Sequence, residues 1–161
     1  MIEYSWVAEA RKYIGLKEIP GPKHNSIIQG WLKRLNAWWS DDETPWCGVF
    51  VAQCLQAVDI KYPGAWYRAK AYLDWGDKID MPEYGCVVVF TREGGGHVGF
   101  VVGKDDKGRI MVLGGNQGNA VSIAPFELYR VSGYRWPTGY ARNKSALPVI
   151  ASSASSSRNE A

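Results

Sequence analysis

The first third of the chain repeats its apolar residues every three or four positions, whereas the second half gathers them into short β-branched runs. Trp6, Val7, Ala10, Tyr13 and Ile14 share one face of a helix expected over Glu3 to Ile14, with Gly15 as its stop. Pro20 and Pro22 forbid helix in the connector that follows. Asn25 or Ser26 can cap a second helix, whose apolar face is Ile27, Ile28, Trp31, Leu32 and Leu35, before the pattern breaks at Ser40-Asp41-Asp42. Trp46 to Leu55 is apolar almost throughout, which predicts a buried helix that begins near Cys47 and ends at Asp59. A shorter, Ala-rich helix is expected from about Tyr67 to Trp75, stopped by Gly76.

From Tyr84 onward the period becomes that of strands. Cys86–Phe90, His97–Val102 and Arg109–Leu113 are three such runs, and Ala120–Ile123 and Gly133–Trp136 two shorter ones. Asp105-Asp106-Lys107-Gly108 is turn chemistry, so the second and third runs should form a hairpin. Helices first and strands after, joined by short turns, predict an α+β domain with an antiparallel sheet.

Length and composition narrow the picture. The chain has 161 residues, 46% of them hydrophobic and 22% charged, which suits one packed domain, expected over residues 1–142. Residues 143–161 are rich in Ser and Ala and are expected to be a disordered tail. No run approaches the roughly 18 apolar residues of a membrane span, and Met1-Ile2-Glu3-Tyr4 lacks the basic start of a signal peptide, so synthesis in the cytoplasm without export signal is expected. The net charge of +3 is spread along the chain without a basic stripe, which argues against a nucleic-acid partner. A monomer is expected.

Three cysteines cannot all pair within one chain, so at least one thiol is free. Cys47 stands where the buried helix begins, and there the unpaired N–H groups and the helix dipole favour thiolate. A small buried hydrophobe is the bland alternative. His97 follows Gly94-Gly95-Gly96 and opens a strand, so its imidazole can be presented beside that helix, and Asn116, in Gly114-Gly115-Asn116, is the candidate to orient it. Strand-end and turn roles are the competing readings of these two residues. Cys54 and Cys86 read as core thiols, and no pair among Cys47, Cys54, Cys86 and His97 has zinc-knuckle spacing. Asp41, Asp42 and Glu43 lack the alternating ligands of a calcium loop and read as a solvated turn. No metal or other cofactor is expected.

Pro45-Trp46-Cys47-Gly48-Val49-Phe50-Val51, Gly96-His97-Val98-Gly99-Phe100-Val101-Val102 and Gly114-Gly115-Asn116-Gln117, in that order, resemble the CHAP family of papain-like cysteine amidohydrolases and peptidases, in particular single-domain bacteriophage endolysins. The resemblance covers roughly residues 4 to 140. It implies a papain-like fold with N-terminal helices packed on an antiparallel sheet, and cleavage of an amide bond in bacterial peptidoglycan at the cell wall. It makes Cys47 the nucleophile, His97 the base and Asn116 the orienting residue, without a metal. Trp46, Trp66, Tyr67 and Gln117 are the expected substrate contacts, with Trp38 and Trp39 near the same groove. Many family members carry a glutamate at or just before the third position, where this chain has Gly114. A non-catalytic module that binds wall glycan or peptide, and an amidase toxin injected into competing bacteria, are the rival readings.

Overall fold

Three α-helices form where the apolar spacing calls for them, each trimmed to the turns that it can bury or cap. The computed structural model of the chain describes residues 3–19, 24–41, 45–92 and 95–151. Helix α1 (Ser5–Arg11) buries Trp6, Val7 and Ala10 and stops short of Ile14, which is left on the surface. Helix α2 (Ser26–Arg34) is capped by Asn25, whose side-chain oxygen accepts from the N–H groups of Ile27 (2.8 Å) and Ile28 (3.2 Å). Helix α3 (Cys47–Ala57) is buried from Cys47 to Leu55, as its lack of a polar face requires. The expected Tyr67–Trp75 helix is a tighter 3-10 helix over Ala69–Asp74.

Six strands make one sheet: β1 (Asp77–Ile79), β2 (Val87–Arg92), β3 (Gly95–Lys104), β4 (Ile110–Gly114), β5 (Ser122–Phe126) and β6 (Val131–Trp136). Their order is β1-β6-β2-β3-β4-β5, and every neighbouring pair is antiparallel. The class is α+β with the helices N-terminal, in agreement with the sequence pattern and with a papain-like fold. β1 is only three residues long, too short to give a periodic signal. Helix α3 packs on β3 and β4 and against α1, so its first turn lies over the sheet.

The β3–β4 hairpin closes at Asp105, whose carboxylate accepts from the N–H groups of Lys107 (2.9 Å) and Arg109 (2.8 Å) and from Nε of Arg109 (2.7 Å). The segment 143–151 is not the free tail expected from its composition. Lys104 N donates to Pro148 O (2.9 Å), Ile150 N donates to Lys104 O (2.8 Å), and Leu147 and Ile150 pack on the core. Leu147 and Ile150, together with the end of β3 that runs past its pairing with β2, outweigh the Ser/Ala bias there. The rest of the expected tail, 152–161, lies outside the described residues. Among the described residues no helix is long and apolar enough to cross a membrane.

Candidate active site

Cys47 is the first residue of α3 and is 5% exposed. Trp46 before it makes no capping side-chain bond and the first turn carries no acid, so no carboxylate or cap side chain of that turn occupies its N–H groups. The turn is pressed against a neighbouring loop: a Cβ on Gly48 would sit 2.5 Å from the backbone oxygen of Trp66, which only glycine avoids. The Tyr72 hydroxyl, from the 3-10 helix, donates toward the carbonyls of both Gly48 (2.8 Å) and Trp66 (3.1 Å) and ties the two segments together. Burial, followed by the nearby Cys47 and Cys54, holds the Tyr72 hydroxyl well above its ordinary pKa, so it stays a donor.

His97, wholly buried, lies near the start of β3 opposite Phe90 of β2. The sheet curls enough for Phe126 of β5 to stack on Phe90 (4.5 Å between ring centroids) and on the imidazole (5.4 Å). In the plane of the ring, Nε2 lies 2.9 Å from Oε1 of Gln117. The Gln117 amide nitrogen donates to the carbonyls of Val112 (3.1 Å) and Ser122 (2.9 Å). Gly114 makes room for this arrangement, because a Cβ there would fall 2.4 Å from Gln117 Oε1 and 3.5 Å from His97 Nε2. The next residue, Gly115, lies under the first turn of α3, where a Cβ would meet Phe50 and the Trp46 ring at 2.6 and 2.8 Å. The paired glycines therefore bring the helix end that bears Cys47 and the strand ends that bear His97 and Gln117 into one place.

The family model for the CHAP domain matches residues 39–116. Over that stretch, just under half of its length, the chain is similar to a CHAP domain. Such a domain implies peptidoglycan-related amidase or peptidase activity. No curated protein matches the chain. The matched stretch contains Cys47 and His97 and ends one residue before Gln117.

One sequence expectation needs correction here. The imidazole contact expected of Asn116 is made by Gln117. The β3–β4 register, Phe100 opposite Leu113, if carried three residues further would set Asn116 against His97. Instead β4 ends at Gly114 and Asn116 adopts a left-handed backbone (φ 59°), which swings Gln117 back under the strand. Asn116 is buried, and its Oδ1 has no hydrogen-bond partner among the described residues. Of the expected substrate contacts, Trp46, Trp66 and Gln117 are each less than a tenth exposed, as Cys47 is. Trp46 fills the space between α3 and Gly115, and its indole N–H reaches Glu18 at 3.4 Å. Trp66 stacks beneath Trp39 at 5.7 Å. The accessible aromatic surface next to Gly48 belongs to half-buried Tyr67 and to Trp38, which is 74% exposed and lies edge-on to both Tyr67 (4.8 Å) and Trp39 (4.7 Å).

Cys54 and Cys86 are free, buried thiols. Burial pushes Cys54 well above the ordinary thiol value and Cys86 up to about 12, so both remain protonated and unreactive at neutral pH. Asp41 is described, but Asp42 and Glu43 lie outside the described residues. Among the described residues no group of three or more His, Cys, Asp and Glu side chains could hold a metal ion. The connector after α1 lines up beside the loop that carries Gln117: Gly15 N donates to Val121 O (2.8 Å), Val121 N to Leu16 O (2.8 Å) and Glu18 N to Asn119 O (3.1 Å). Those bonds are backbone bonds and leave no mark in side-chain pattern.

Proposed function

We propose that the protein is a cysteine-dependent peptidoglycan hydrolase of the endolysin kind, which cleaves an amide bond of the bacterial wall and so lyses a host cell. The observation that carries this reading is the junction of the helix start bearing Cys47, whose first turn holds no acid, with a buried imidazole, His97, whose Nε2 is engaged by Gln117. In the reaction, the Cys47 sulfur attacks the amide carbonyl as thiolate, the proton passing to His97. The backbone N–H at the helix start stabilises the oxyanion. The imidazolium then protonates the leaving amine, and the neutral imidazole activates the water that frees the acyl group from Cys47. The amide lies either between muramic acid and the stem peptide or within the peptides.

Trp38 and Tyr67 give the wall polymer an aromatic surface on the Gly48 side of the thiol. The same aromatic surface favours the rival reading of a wall-binding module without catalysis. Digestion of purified peptidoglycan by the wild type and by Cys47→Ala, with mass spectrometry of the fragments, separates the two. Cleavage by the wild type alone supports the hydrolase, and the new termini name the bond. Sedimentation of both proteins with the wall, without cleavage by either, leaves the binding module.

A further inference from the structure

We infer that Gln117, which lies just beyond the matched stretch, is the positioning residue for His97, and that its place admits only a side chain able to donate on one side and accept on the other. The inference rests on the hydrolase reading above. An amide has two faces, and here the surroundings decide which way it turns. Its Nε2 faces two acceptors, Val112 O (3.1 Å) and Ser122 O (2.9 Å), with the Ser122 hydroxyl at 3.3 Å. Turned over, the amide would set its oxygen against both carbonyls and lose those bonds. Oε1 therefore points at His97 Nε2, 2.9 Å away. An acceptor at that distance requires a proton on Nε2, which leaves the lone pair on Nδ1. Nδ1 is then the atom that takes the proton from the thiol and returns it to the leaving amine. Phe126 and Phe90, stacked on the ring at 5.4 and 6.1 Å, hold the plane in which this bond is made.

The same two carbonyls exclude a carboxylate. In Gln117→Glu one oxygen would accept from Nε2–H, and the other would stand against Val112 O and Ser122 O, while the nearby Ser122 hydroxyl already gives its proton to the Gln117 backbone oxygen (3.2 Å). Only the protonated acid, donating to a carbonyl, reproduces the amide. The titratable and charged groups on the elements around this point are His97 on β3, Cys47 on α3, Arg130, whose guanidinium lies over the rings of Phe126 (5.5 Å) and Phe90 (5.8 Å), and, on the connector beside the Gln117 loop, exposed Lys17 and Glu18, which accepts from the Trp46 indole. None of them donates to that second oxygen. The acid at position 117 therefore has a raised pKa, and the variant gains activity as pH falls until His97 itself takes a second proton.

The test reads tautomer and turnover separately. Long-range proton–nitrogen NMR of the His97 ring in the wild type, at a pH where the ring is neutral, should show the Nε2–H form. Rates of amine release from purified peptidoglycan should fall on the order of 10²-fold in kcat, with little change in KM, for Gln117→Leu. Gln117→Glu should be as slow at neutral pH and recover part of the loss on mild acidification. An Nδ1–H tautomer in the wild type, or a Gln117→Glu enzyme as active as the wild type at neutral pH, overturns the inference. If Gln117→Leu does not fold, the wild-type tautomer still decides. Absence of Cys47-dependent cleavage would sink the hydrolase reading, whereas the wrong tautomer in an active enzyme would sink only the role given to Gln117.

Discussion

The two ends of the β3–β4 hairpin are both closed by a buried polar side chain, and they are closed differently. At the far end Asp105 gathers two backbone N–H groups and the Arg109 guanidinium, a charged acceptor surrounded by donors. At the near end Gln117 is neutral and divides its hydrogen bonds between two carbonyls and an imidazole. A full charge fixes a turn strongly and commits every proton around it. A neutral amide fixes a ring in place without settling a charge beside it, which suits the proton exchange that the proposed mechanism asks of His97. The contrast separates a turn held by a charge from a ring held by a neutral amide.

The largest expected effect lies at the near end. Cys47→Ala should lower wall cleavage on the order of 10⁴-fold or more while leaving the melting temperature close to that of the wild type, measured by fragment release and thermal denaturation. Gly114→Ala brings a methyl group to 2.4 Å from Gln117 Oε1. It should lower kcat by about tenfold or more and stability by roughly 1–3 kcal/mol, since the amide must shift.

At the far end the signs reverse. Asp105→Ala should cost about 1–3 kcal/mol of stability in a denaturant titration, with turnover per folded molecule unchanged. Burial alone would raise the Asp105 carboxyl, but the hydrogen bonds from Arg109 and Lys107 outweigh it and its pKa lies below the ordinary value. A carboxyl lowered on folding contributes stability that is fully present above its unfolded pKa, about 3.9, and is lost as pH falls through the lower folded value. The wild type should thus lose stability below about pH 4, and Asp105→Ala should flatten that limb. The smallest effect is expected at Trp38, which is mostly exposed. Trp38→Ser should change stability by no more than about 0.5 kcal/mol while raising KM for intact wall several-fold, a split visible in initial rates.

Much of the fold was legible because burial writes a period into the sequence. Helix α3 and strands β2, β3 and β4 stand close to where their apolar runs predict, and the Asp105–Gly108 turn joins the strands expected of it. Cys47 and His97 were legible for a second reason: each stands at the boundary of a long apolar element, where chemistry and chain direction meet. Gln117 was not, because its contact depends on a single left-handed residue, Asn116, that breaks the register. Two glycines followed by asparagine carry that signal, and they predict a reversal more readily than a straight continuation of β4. The burial of Trp46 and Trp66 was not legible, since no local pattern tells a buried tryptophan from an exposed one. The docked segment around Pro148–Ile150 was hidden by the serines and alanines on either side of it.

Alkylation of the folded protein by a slight excess of iodoacetamide, with peptide mapping and peptidoglycan cleavage measured on the same samples, tests the central claim most directly. Only Cys47 stands at a helix start, and Cys54 and Cys86 are buried and held protonated. The label should appear on Cys47 ahead of the other two thiols, and the fraction labelled there should equal the fraction of cleavage lost. Full labelling of Cys47 with cleavage retained would contradict the account.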